Sequence, residues 1–159
     1  MRAAEPIELP RAPPELVMGE GRVDVFFYGL FLDARVLREK GVAPADGRKA
    51  YVDGFELRIG SRAALVPSPR GRVYGMLFAL TRPELELLYA GPGLERYRPE
   101  AVLARTLGGP TPDGAPTPAL CYNLPDAPAP DERNPDYAAR LRRILGELGF
   151  PAEYVGSIS

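Results

Sequence analysis

The chain has 159 residues, 20 of them basic and 21 acidic, with 19 prolines, 17 glycines, one cysteine and no histidine or tryptophan. That length fits one domain with a substantial core, and the charge balance gives no electrostatic footprint for nucleic acid or an anionic membrane. Without histidine, Ser-His-Asp and Cys-His catalysis and imidazole-ligated zinc are excluded, so any chemistry falls to carboxylates, tyrosines, lysines, arginines and the backbone.

Residues 1–20 carry Pro6, Pro10, Pro13 and Pro14 among scattered charges and read as a Pro-rich leader ahead of a single domain over 21–159. They contain no apolar stretch of the signal-peptide type. No apolar run anywhere is long enough to span a bilayer. The lone Cys121 rules out an internal disulfide, and together these features point to a cytoplasmic location.

Val23–Tyr28 is a run of β-branched and aromatic residues with the composition of a strand buried on both faces. From Asp33 the pattern turns helical: Asp33 suits the N-cap, Val36 and Leu37 supply the apolar stripe, and Gly41 suits the C-terminus. Between them lies the turn Tyr28-Gly29-Leu30-Phe31-Leu32. A strand that stops at a glycine and feeds a helix leaves backbone N–H groups able to hold a carboxylate or an oxyanion. The same residues equally fit a tight turn at Gly29 followed by core side chains.

Lys49–Ile59 alternates as a strand with a bend expected at Gly54, and Ala63–Val66 reads as a short strand closed by Pro67 and Pro69. Arg72–Leu80 is a second strongly buried strand, in which Gly75 marks a bulge or a close backbone approach. Thr81, Pro83 and Glu84 form a capping-box start for a helix ending at Ala90-Gly91-Pro92-Gly93. Strands follow at Arg98–Thr106 and Pro118–Leu124, separated by a Gly/Pro-rich loop. Asn134 and Pro135 open a last long helix with Tyr137, Leu141, Ile144, Leu145 and Leu148 at helical spacing. Gly149 stops it, and Pro151 begins one more helical turn with Tyr154 and Val155. Strands and helices do not alternate regularly, which predicts an α+β domain with a mixed or antiparallel sheet.

Three segments together resemble the γ-glutamylcyclotransferase-like (AIG2-like) family: V-F-F-Y-G-L-F-L-D; then G-R-V-Y-G-M-L-F-A-L-T followed by a helix and E-R-Y-R-P-E-A-V; and N-P-D-Y-A-A-R-L-R-R-I-L-G-E-L-G-F-P-A-E-Y-V. The resemblance runs from Val23 to Val155. It implies a small barrel-like mixed sheet flanked by helices, with a cavity at the Y-G turn. It also implies cofactor-free and metal-free release of 5-oxoproline from γ-glutamyl compounds. In that chemistry a glutamate takes a proton from the substrate's α-amine, which attacks its own γ-carbonyl. Such a reaction is intramolecular, so positioning supplies much of its rate and no histidine is needed.

Two positions depart from the family pattern. Its catalytic glutamate falls on Ala90 or Gly91, neither of which can move a proton, and the serine or threonine of its turn is replaced by Leu30. Glu95, on the following loop, is the candidate for a relocated base; the competing reading is a solvated charge beside Arg96 and Arg98. Tyr28, Gly29, Leu30, Phe31, Leu32, Tyr97 and Tyr122 are the candidate binding residues, and Cys121 reads as inert packing. The expected function is a pocket for a small γ-glutamyl or amino-acid-like ligand at Tyr28–Leu32, with cyclotransferase activity weakened or lost. The alternatives are an active enzyme using Glu95 and a non-catalytic interaction module whose pocket is filled by Leu30 and Phe31. No cofactor, nucleic-acid partner or membrane partner is expected, and neither ligand identity nor oligomeric state is legible.

Overall fold

The structure, a computed structural model, describes residues 21–108 and 114–159. The expected leader and part of the Gly/Pro-rich loop lie outside the described residues. Five strands, β1 (Arg22–Phe27), β2 (Ala45–Ile59), β3 (Ala63–Thr81), β4 (Arg98–Leu107) and β5 (Pro116–Asn123), close into a barrel in the order β1-β3-β2-β4-β5. Every pairing is antiparallel except the closing one, where β5 meets β1 in parallel at Leu120 and Val25. This is the barrel-like mixed sheet flanked by helices that the resemblance implies, within the α+β class that the element order predicts. The helices are α1 (Ala34–Glu39), α2 (Arg82–Leu88), α3 (Pro135–Glu147) and α4 (Ala152–Gly156). Among the described residues no helix is long and apolar enough to cross a membrane.

Local chemistry sets most of the helix ends. Asp33 caps α1 by accepting from the Arg35 backbone N–H at 2.9 Å. At α2, Thr81 Oγ1 accepts from Glu84 N while Glu84 Oε1 accepts from Thr81 N, a complete capping box. Asn134 caps α3 by accepting from Tyr137 N. One face of α3 buries Ala138, Leu141, Ile144 and Leu145 against the barrel, and Val25, Phe26, Leu77 and Leu80 of β1 and β3 are almost wholly buried within the same core.

The sheet departs from the sequence expectation in β2, which starts at Ala45 and not at Lys49, and more deeply in β3. The two segments read as separate strands, Ala63–Val66 and Arg72–Leu80, are halves of one 19-residue strand, β3, and Pro67 and Pro69 do not close it. The reason lies in the pairing with β2, which runs from Asp53↔Arg72 directly to Phe55↔Pro67. The four residues 68–71 therefore bulge out opposite the single Gly54. Gly54 takes φ +91°, a conformation open to glycine, and bends the strand where a bend is expected. Gly75 is the close approach anticipated for it, since a side chain there would run into the Phe27 carbonyl.

Candidate functional site

β1 delivers the chain into the turn with Val25, Phe26, Phe27 and Tyr28 all buried. A single 3-10 turn, Leu30–Leu32, links it to α1. In front of this turn lies a cavity of about 350 Å3, bounded by the turn, by α1, by Arg62 and Ala63 at the start of β3, by the Tyr89–Tyr97 loop, and by Tyr122 and α3. Leu30 and Phe31 line it without filling it.

Its walls are aromatic and mutually braced. Tyr89 stacks on Tyr122 with centroids 4.0 Å apart, while Phe31 meets Tyr89 edge-on at 5.9 Å and Phe27 at 6.2 Å. The hydroxyls are tied to the backbone that shapes the cavity. Tyr28 Oη donates to the Tyr122 carbonyl at 2.9 Å, and Tyr97 Oη donates to the Ala63 carbonyl. Behind them Asn123 bridges β5 to β3: its Oδ1 accepts from Leu65 N at 2.8 Å and its Nδ2 donates to Leu65 O at 2.9 Å.

Tyr137 of α3 controls the turn itself. Its hydroxyl accepts from the Leu30 N–H at 3.1 Å, so the amide that the sequence offers to a ligand already has a partner inside the protein. The same hydroxyl packs so tightly on Gly29 that a Cβ there would overlap it, and the Ala63 methyl would lie 3.3 Å from that Cβ. Gly29 is thus fixed by what faces it; its φ is an ordinary −105°.

None of these tyrosines is a proton carrier near neutral pH. Burial, reinforced by Cys121 and the neighbouring tyrosines, holds Tyr28 and Tyr89 well above the usual phenol range. Burial also raises Tyr97, Tyr122 and Tyr137, and at Tyr97 and Tyr137 the positive charge of Arg62 pulls in the other direction. Three cations, Lys40, Arg62 and Arg140, line the cavity, and Glu39 is the single carboxylate among its lining residues. Arg62 bonds to the Pro92 carbonyl through Nη2 at 3.3 Å and has no ion pair with a described residue. The site therefore combines apolar walls, neutral hydroxyls and a net positive rim, a setting for a small molecule that brings its own negative charge.

Of the candidate residues, Tyr28, Gly29, Leu30, Phe31, Tyr97 and Tyr122 come together here. Leu32 does not; it is 1% exposed and packs in the core, because the 3-10 turn points it inward. Glu95 is also not on the cavity wall: it is exposed, and its Oε1 accepts from the Gly93 N–H at 2.9 Å, closing its own loop. Of the two positions that the resemblance gives to the family's acid, Gly91 lines the cavity, whereas Ala90 is exposed and not on its wall. Arg62, Tyr89, Tyr137 and Glu39 are the residues that sequence reasoning did not assign to the site. Val36, Glu39 and Lys40 share one face of α1, and that spacing after the Y-G turn was the available signal for Glu39.

No protein-family model and no curated protein sequence matches the chain. Solved structures do. A γ-glutamyl cyclotransferase superposes with a TM-score of 0.69 at 18% identity, over 87% of this chain and 88% of its own. A yeast γ-glutamyl cyclotransferase specific to glutathione gives 0.62 at 12% identity, over 87% and 94%. An AIG2-like protein from Mus musculus gives 0.51 at 15% identity, over 83% and 86%. With the five-stranded closed barrel, these likenesses show that the chain has the γ-glutamylcyclotransferase-like fold.

Proposed function

We propose that the cavity at the turn binds a small γ-glutamyl or amino-acid-like molecule, and that cyclotransferase activity is weakened or lost. The observation that carries this reading is Gly91, which stands on the cavity wall where the resemblance expects a glutamate. Cyclisation needs a base to free the substrate's α-amine before it attacks the γ-carbonyl, and a glycine cannot supply one. Binding needs no such group. Aromatic faces take up the apolar part of a ligand, and Lys40, Arg62 and Arg140 offer donors to its carboxylate.

A second reading rests on Glu39, the one carboxylate lining the cavity. If Glu39 serves as the base, the chain is an active enzyme of the same reaction type. One experiment separates the two. The pure protein is incubated with γ-glutamyl amines and dipeptides, 5-oxoproline is measured against buffer, and the melting midpoint is recorded with each compound. The expected outcome is no 5-oxoproline above buffer, with a midpoint raised by at least one compound. A ligand at 100 times its Kd stabilises by about 2.7 kcal/mol, or roughly 5–11 °C for a chain of this size. Turnover abolished by Glu39→Gln would establish the second reading in its place.

A further inference from the structure

A second cavity, of about 570 Å3, lies between the β2–β3 bulge, the 130–133 segment and the C-terminal residues after α4, and it shares no lining residue with the cavity at the turn. Among the described residues four arginines line it, Arg58, Arg70, Arg72 and Arg133, against two acidic groups, the Glu56 side chain and the α-carboxylate of Ser159. The whole chain carries a formal charge of −1, so this wall is a local concentration of positive charge in a nearly neutral molecule. We propose that it is an anion site for a phosphate-bearing small molecule.

The four guanidinium groups fall into two kinds. Two are held in place by the protein. Arg72 is paired with Asp53 at 2.7 and 3.4 Å and lies over the Tyr51 ring at 3.9 Å, and Arg133 donates through Nη1 to the carbonyls of Pro130 and Glu132, both at 2.8 Å. The other two, Arg58 and Arg70, make no hydrogen bond or ion pair with any described residue, and Arg58 is half-buried. Their guanidinium donors are therefore free to take an incoming anion.

The fold brings them together through a specific irregularity. Residues 68–71 form the bulge opposite Gly54, and Arg70 stands on it with Arg72 at its foot. Bulges occur where a sheet must redirect side chains. Tyr154 lines the same cavity, its ring packed edge-on against Tyr74 with centroids 5.0 Å apart. Planar guanidinium forks match the oxygens of a phosphate, and several around one cavity favour a phosphate over a single carboxylate. The cavity's size suits a phosphorylated metabolite, and its confinement sets it apart from the extended basic stripe that a nucleic acid requires.

The test is calorimetric titration of the intact chain at low salt with inorganic phosphate, pyrophosphate and ADP. Binding of at least one probe is expected, and it should weaken as salt is raised. The double variant Arg58→Gln, Arg70→Gln should weaken it by about tenfold or more, the effect of losing charge-assisted hydrogen bonds. Because neither side chain has a partner in the fold, the variant's melting midpoint without ligand should match the parent's. Arg143→Gln, an exposed arginine of α3 outside both cavities, should bind like the parent. Tighter binding of ADP than of phosphate would identify an organic phosphate as the ligand, and equal binding would identify free phosphate. The proposal is overturned if no probe binds at millimolar concentration, or if Arg143→Gln weakens binding as much as the double variant.

Discussion

Replacing Gly29 with alanine puts one methyl group where the Tyr137 hydroxyl already sits. To make room, Tyr137 must withdraw and give up the Leu30 N–H that it holds at 3.1 Å. Overpacking of this kind costs about 1–3 kcal/mol, and an orphaned amide adds to it by about 1 kcal/mol or more. A total of about 2–4 kcal/mol lowers the melting midpoint by roughly 4–16 °C in a chain of this length. Tyr137→Phe alone removes the hydrogen bond and not the ring, at about 1 kcal/mol. In the double variant the offending oxygen is gone, and the nearest remaining atoms are the Ala63 methyl at 3.3 Å and the ring carbon Cζ at 3.6 Å. The pair should therefore cost little more than Tyr137→Phe by itself, a coupling nearly as large as the cost of Gly29→Ala alone, about 2–4 kcal/mol. Urea unfolding of the four proteins measures it. Costs that add to within about 0.5 kcal/mol would mean that Gly29 and Tyr137 are independent and that the turn is not gated by the hydroxyl.

Two further outcomes follow from groups outside the cavity's hydrogen bonds. Cys121 is fully buried, and burial, with Glu100 nearby, pushes its thiol well above the usual range. It should stay unreactive toward a thiol reagent at pH 8 until denaturant is added, and rapid labelling of the native protein would contradict that burial. Asp33 is held below the ordinary carboxylate range, chiefly by the Arg35 side chain and against the opposing effect of burial. A carboxyl depressed in the folded state contributes stability that is present above about pH 4 and lost as pH falls through its folded value. The melting midpoint should therefore drop on acidification, and Asp33→Asn should remove part of that drop; identical profiles would sink the assignment.

What was legible in the sequence was what neighbouring residues decide. Thr81 and Glu84, Asp33 and Arg35, and Asn134 and Tyr137 make their caps within three residues, so composition and spacing reveal them. The bend at Gly54 was visible for the same reason. The single continuous β3 was not, because Pro67 and Pro69 normally end a strand, and here they flank a bulge whose existence depends on the partner strand. The cavity was half visible. Tyr28, Gly29, Leu30 and Phe31 are contiguous, but Tyr137 reaches Leu30 across 107 residues, and its helical spacing marked it only as core. Glu95 shows the converse limit. The carboxylate offered as a relocated base accepts from the Gly93 N–H, two residues away, a local bond that its proximity to the helix end in the sequence does not reveal.

The weight placed on Gly91 can be tested by restoring what it lacks. It lines the cavity, it is not among the described glycines with positive φ, and a Cβ built on it meets Leu94 Cδ1 at 3.6 Å and the Leu88 carbonyl at 3.9 Å, both ordinary contacts. A glutamate is therefore sterically admissible at 91, whereas one at the exposed Ala90 starts off the cavity wall. Gly91→Glu combined with Leu30→Ser should release 5-oxoproline from a γ-glutamyl compound measurably above the parent, and Ala90→Glu with Leu30→Ser should release less. General-base catalysis contributes typically 10²–10⁴-fold, and a carboxylate without a supporting shell realises only part of it. Gly91→Gln with Leu30→Ser is the control, since it has the same shape and cannot take the proton. Equal rates for the glutamate and glutamine variants would show that Gly91 does not occupy the acid position, and the proposed loss of activity would lose its support. A glutamate variant that binds the compound yet releases nothing would move the defect to the turn, where Tyr137 holds the Leu30 amide that an incoming substrate oxygen would require.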